Sequence, residues 1–172
     1  MKALTLWQPW ASLVALGWKS VETRCWSTKY RGPLAIHSAA KLPPDWLGAS
    51  RHSKEFAFEL GEVLKESDVK KAVDYLPLGS VLAVVRLVDV VPTSQLRDEV
   101  SQRERVFGNY DDGRYAWFLD LLEFFEDGIP AKGNRMLWNW SEKTLGGKQV
   151  EFLPTTLATS KPEVRQVPIP KL

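Results

Sequence analysis

The segment Gly17-Trp18-Lys19-Ser20-Val21-Glu22-Thr23-Arg24 sets the sharpest limit on how this 172-residue chain can fold. It places a lysine, a glutamate and an arginine within six residues, among Trp7, Trp10, Trp18 and Trp26. Charges set in that much aromatic surface are costly to bury unless they pair or meet a ligand. The fold must therefore bring counter-charges to this G-x-K-x-x-E-x-R segment or open a cleft beside it.

Around the segment the pattern is of short strands and turns. Ala3–Leu6 reads as a strand, and Pro9 opens a helix that runs through Leu13, Val14 and Leu16 to a stop at Gly17. Ser20–Trp26 alternates as a strand, with Val21, Thr23 and Cys25 on one face and Glu22, Arg24 and Trp26 on the other. That places Lys19 opposite Glu22 unless the Gly17-Trp18 turn aims it inward. Arg31-Gly32-Pro33 is a turn before a strand at Leu34–His37. Pro43-Pro44-Asp45 can open a short helix, Ser53–Lys65 has helical spacing, and Ser67 or Asp68 caps a helix to Val73. Gly79–Val91 is the strongest strand, ended by Pro92. Ser94–Arg105 reads as a surface helix and Gly108–Gly113 as a loop. Tyr115–Phe125 reads as a strand, with helix competing over Leu-Leu-Glu-Phe-Phe. An aromatic cluster ends at Trp140, Val150–Leu153 is a further strand candidate, and the end is Pro-rich. The sum is an α+β chain: one domain over residues 1–153, a helical insertion near 43–76, and an extended tail over 154–172. A small mixed barrel fits better than a doubly wound sheet, since β-α-β periodicity is missing.

Charge is unevenly spread. The net charge is +2, yet residues 1–41 carry +5 and the remainder −3. A basic N-terminal quarter points to a localised anion-binding face, with solvated surface lysines and arginines as the alternative. The single cysteine, Cys25, excludes an internal disulfide and is expected as a buried structural thiol beside Trp26. Two separated histidines and one cysteine give no zinc spacing, and neither a Walker loop nor a G-x-G-x-x-G fingerprint occurs. No cofactor or metal is expected. Without an apolar run of membrane length or a signal-peptide pattern, a cytoplasmic protein is expected.

Leu6-Trp7-Gln8-Pro9-Trp10-Ala11, the Gly17–Arg24 pattern and Arg31–Lys41 together resemble the ASCH domain family. Gly113-Arg114-Tyr115-Ala116-Trp117 and Pro130-Ala131-Lys132-Gly133, with Trp138, look like later blocks of that family in the same order. The resemblance is strongest to bacterial and phage members and to the ASCH domain of transcriptional coactivators of the signal-cointegrator type. It implies a PUA-like mixed β-barrel with inserted and flanking helices, and a cleft between barrel and helices. It also implies RNA binding, DNA binding in some members, hydrolysis of N-acetylated cytidine in a few short bacterial ones, and ribonuclease activity in one relative.

The residues carry matching chemistry. A nucleic-acid site needs cations for phosphates and aromatic faces for bases. Lys19, Arg24, Lys29 and Arg31 are the candidate cations; Trp7, Trp10, Trp26 and Tyr115 are candidate faces unless they are core. Gln8 and Pro9 belong to the first block. Glu22 either pairs with Lys19 or Arg24 or accepts a base amino group. Arg114 and Tyr115 follow the Gly113 turn back toward the cleft, Lys132 extends its rim, and His37 lines the cleft or a polar core. Family amidohydrolases use the motif lysine, a threonine three residues later and a distant glutamate. Here Glu22 stands at the threonine position, so a hydrolase would use Glu22 as general base and Lys19 for the oxyanion, with Glu104 or Tyr115 as third group. The expected function is therefore nucleic-acid binding, to RNA or a single strand and possibly DNA. The alternatives are hydrolysis of an acylated nucleoside or RNA in the same cleft, and a protein-interaction module in transcription. Oligomeric state is left open.

Overall fold

A computed structural model describes residues 1–43, 53–96 and 99–141. The expected helix opening at Pro44-Asp45, the strand at Val150–Leu153 and the tail over 154–172 lie outside the described residues.

The chain forms β1 (Lys2–Leu6), α1 (Trp10–Ala15), β2 (Val21–Arg24), β3 (Gly32–Ser38), α2 (Ser53–Leu64), α3 (Val69–Asp74) and β4 (Ser80–Pro92). A single 3-10 turn (Thr93–Gln95), α4 (Gln102–Phe107), β5 (Tyr115–Pro130) and β6 (Leu137–Asn139) follow. The strands make one six-stranded mixed sheet in the order β2-β5-β4-β3-β1-β6, with β1 and β3 parallel and the other pairs antiparallel. This is the expected α+β class, with helices inserted in and flanking a PUA-like sheet. The outer strands β2 and β6 are not hydrogen-bonded to each other, so among the described residues the sheet is barrel-like at most, not closed. Bulges in the β4–β5 pairing bend the two long strands.

Most elements follow their local signals. Gly17 takes φ +75°, a left-handed conformation that stops α1 at no steric cost. Asp68 caps α3 by accepting a hydrogen bond from the Lys71 amide at 3.1 Å. Leu121–Phe124 pair with β4 as strand, which settles the competition with helix. Two expectations are corrected. The Ser94–Arg105 helix divides into the 3-10 turn and α4, and α4 buries Glu104, Val106 and Phe107 instead of lying on the surface. Strand β2 leaves β5 after Arg24, so the alternation stops there and Cys25 is exposed, not buried.

Helix α1 is the wall between two cores. Ala11, Val14 and Ala15 pack onto Leu4, Leu34, Ile36, Val85 and Trp117 of the sheet. Leu13 enters a second cluster with Phe56, Leu60, Val73 and Phe107 of α2, α3 and α4. On the other sheet face Val21, Ala116 and Phe118 pack with Leu96 and Val100. No helix among the described residues is long and apolar enough to cross a membrane.

His37 closes one end of the sheet. It stands beside Thr5 and Val81 in register and is 1% exposed. Its Nε2 donates to the Ala131 carbonyl at 3.0 Å, which fixes Nδ1 as the bare nitrogen, buried without a partner. A Cβ at Gly133 would lie 2.4 Å from His37 Cε1, so only glycine fits there. Trp138 meets the imidazole edge-on at 5.6 Å and donates to Thr5 Oγ1 at 3.1 Å. Burial holds the His37 pKa below its ordinary 6.5, against the raising effect of the Ala131 hydrogen bond. Below that value the unfolded chain binds a proton that the folded chain refuses, so stability falls as pH drops. Urea unfolding midpoints should decline from pH 7 to pH 5 in the native protein. The decline should be shallower in His37→Gln, and parallel curves would contradict this account.

Candidate functional site

Strand β2 is an edge strand, and its outward backbone groups need partners other than a strand. On its inner side the Leu119 amide donates to Ser20 O at 2.8 Å, and pairing with β5 continues to Arg24. On its outer side charged side chains do the pairing. Glu104 Oε1 accepts from the Val21 amide at 3.2 Å, and from the Ser20 hydroxyl at 2.9 Å and Ser20 amide at 2.5 Å. Lys19 Nζ donates to Val21 O, and Arg114 Nη2 donates to Thr23 O at 3.0 Å. Thr23 Oγ1 accepts from the Asn109 amide at 3.0 Å, so the 108–114 loop is tied to the same edge.

The charges then alternate. Lys19 is 1% exposed, with Nζ 3.6 Å from Glu104 Oε2 and 4.0 Å from Glu22 Oε2. Glu22 Oε1 lies 3.4 Å from Arg24 Nη1. Two cations and two carboxylates thus offset one another, with Lys19, Glu22 and Glu104 buried and Arg24 partly exposed. Strand alternation alone would have put Lys19 opposite Glu22. It is overridden because the Trp18 and Lys19 amides both donate to Leu13 O, at 2.9 and 3.1 Å, which folds the chain back under β2. Glu104, one of two candidates for a third group, is the one that joins Lys19 and Glu22. Tyr110 is an addition that the sequence pattern did not signal, since it sits in a polar loop. Its hydroxyl is buried without a partner, and burial, with the charges of Glu104 and Glu22, pushes its pKa up.

Beyond Arg24 lies a more open surface. The Arg24 guanidinium sits 5.8 Å from the Trp26 ring centroid, and its side chain is 27% exposed. Trp26 packs edge-on against Trp117 at 4.6 Å and accepts a hydrogen bond from the Trp117 indole at its carbonyl, 3.3 Å. Tyr115 stands opposite Arg24 in register and is half-buried. Lys29 is exposed. Arg31 binds Asp89 at 2.7 Å and donates to the Thr28 and Tyr30 carbonyls, both at 2.9 Å. The register of β3, β4 and β5 places all of these at one end of the sheet.

The remaining candidates stand elsewhere. Trp7, half exposed, follows β1 at the opposite end, with His37 and the exposed Lys132. Gln8 is fully buried, donating to Ser12 Oγ and Pro77 O, both at 2.8 Å, and accepting from the Ser12 amide at 3.0 Å. Pro9 is buried at the start of α1, and the Trp10 indole donates to Phe107 O at 2.9 Å within the helical core. Arg114 also donates to Asn109 O at 3.1 Å.

The buried pairing makes a stability prediction. Removing one partner leaves the other charge buried and uncompensated, which costs about 3–5 kcal/mol. Lys19→Met should therefore lower urea stability by about that amount. Lys19→Met combined with Glu104→Gln should cost clearly less than the two single losses added together. Strict additivity in the cycle would show that the pair is not coupled.

The chain is 30% identical over 143 residues to human "Activating signal cointegrator 1" and 29% identical over 143 residues to the mouse protein of that name. Each match covers 81% of this chain and 22% of the relative, so the chain spans about a fifth of those proteins. The sequence profile named "ASCH domain" matches residues 4–128, which runs from within β1 through most of β5 and takes in the whole braced edge. The chain belongs to the ASCH domain family.

Proposed function

We propose that this ASCH domain binds nucleic acid, as RNA or a single strand, over the end of the sheet that carries Arg24, Trp26 and Lys29. The observation that supports it is the placement of Arg24. Lys19 holds Glu22, Glu22 holds one side of the guanidinium, and the rest of it faces solvent beside the Trp26 ring. A positioned cation next to an aromatic face suits a phosphate and an unstacked base, which single strands offer and a duplex does not. Lys29 adds a second solvent-facing charge. Relatives named as signal cointegrators fit a domain that works close to nucleic acid.

Fluorescence anisotropy with labelled single-stranded RNA and DNA tests this. Arg24→Ala with Lys29→Ala should weaken binding at least roughly tenfold and flatten the log–log salt dependence by about 0.7 per lost phosphate contact. Unchanged affinity with an unchanged salt slope would sink the proposal.

The meeting of Lys19, Glu22 and Glu104 favours a second reading, hydrolysis of an acylated nucleoside. In that reading Glu22 takes a proton from water, the hydroxide adds to the amide carbonyl, and Lys19 stabilises the oxyanion. Glu22 then returns the proton to the departing amine, releasing nucleoside and carboxylate. Acetate release from N-acetylcytidine that disappears in Glu22→Gln is the expected result. A flat assay across acylated nucleosides removes this reading.

A further inference from the structure

The end of the sheet opposite Arg24 gathers four segments. The Ala39 amide donates to Leu6 O at 2.8 Å, the Gly79 amide to Ser38 O at 3.1 Å, and the Ala131 amide to Gly79 O at 2.9 Å. Gly133 then crosses over His37 and Thr5, with which a Cβ would collide. Residues 3–9, 37–43, 75–82 and 128–139, which meet here, contain no aspartate or glutamate. Asp74, Glu126 and Asp127 flank them among the described residues. The four segments bring Lys41, Lys132 and Arg135, all exposed, and none of the three is ion-paired among the described residues. Two large apolar side chains are exposed at the same end. Trp7 is 50% exposed although its neighbours Leu6 and Gln8 are buried, and Met136 is 53% exposed. The Trp7 carbonyl accepts from the Ala11 amide at 3.0 Å, so its backbone is fixed at the head of α1. Met136 takes φ +58°, a left-handed conformation that non-glycine residues seldom adopt, just before β6.

Free cations at one end with an exposed indole fit phosphates and a stacked base. We propose that this end of the sheet is a second contact for a single strand, with Lys41, Lys132 and Arg135 meeting phosphates and a base lying on Trp7. An acidic polypeptide answers the charge; a nucleotide strand answers the charge and the ring face together. The surface shares the ligand class proposed above and otherwise stands on separate residues. Strand β3 spans seven residues between the two ends, about 20 Å. One domain thereby holds two segments of strand at once.

The test uses the full chain, 15N-labelled, titrated with single-stranded tetrauridylate and, separately, with a hexaglutamate peptide. Two sets of shifts are expected with the oligonucleotide, one over residues 22–31 and one over the Trp7 indole and residues 132–136. Lys132→Ala with Arg135→Ala should weaken binding at the second set roughly tenfold. Trp7→Phe should keep that set where Trp7→Ala loses it. Absence of the second set, its survival in Lys132→Ala with Arg135→Ala, or equal shifts from hexaglutamate would overturn the proposal. Absence of the first set alone would strike the reading over Arg24 and leave this one standing.

Discussion

The Glu104 carboxylate is the contact on which the arrangement of the motif depends. One oxygen gathers the Ser20 amide, the Ser20 hydroxyl and the Val21 amide, while the other faces the Lys19 ammonium. Without it, the Ser20 and Val21 amides would lose their side-chain partner, and the buried Lys19 would keep only Glu22 and the Val21 carbonyl. The chain thus uses a residue more than eighty positions away to finish a four-residue strand. A strand that short gains little from its own ladder, and the ionic brace compensates. The G-x-K-x-x-E-x-R pattern then reads as two layers: an inner lysine that serves the backbone and an outer arginine that serves whatever meets the surface.

This division bears on how charges are tolerated among so many rings. Trp10, Trp18, Trp26 and Trp117 are occupied otherwise than in enclosing the charges of Lys19 and Glu22. Trp10 caps the helical core, Trp26 and Trp117 form an edge-to-face pair, and Trp18 carries the Arg103 guanidinium at 4.9 Å from its ring. The desolvation problem posed by Lys19 and Glu22 is met by counter-charge, supplied through α4, and not by aromatic contact.

Much of the frame was legible from residues alone because its signals are local. Gly17 ends a helix, Asp68 starts one, and the Val-rich run of β4 cannot be other than a strand. The burial of α4 was not legible, since Gln102–Phe107 is polar in composition and its role depends on Glu104 finding β2 from a distance. Cys25 misled for a related reason: alternation continues in the sequence after the hydrogen-bonded partner has ended. Within the site, spacing put Lys19 and Glu22 on opposite strand faces unless the Gly17-Trp18 turn aimed the lysine inward, as it does, whereas Tyr110 gave no pattern to read. The split of candidate residues between two ends of the sheet required the parallel register of β1 and β3, which no short motif encodes.

Helix α1 has a consequence for how the molecule can respond to anything that binds it. Five of its six residues are buried, and its two sides serve different cores. Leu13 sends its side chain into the helical layer while its carbonyl receives the Trp18 and Lys19 amides. One residue is therefore both a packing contact for α2, α3 and α4 and the anchor of the turn that aims Lys19. The helical layer and the charged edge are geared to the same tooth. A shift of the helices by a fraction of an ångström must be absorbed at that turn, and from there by the ion pairs that orient Arg24.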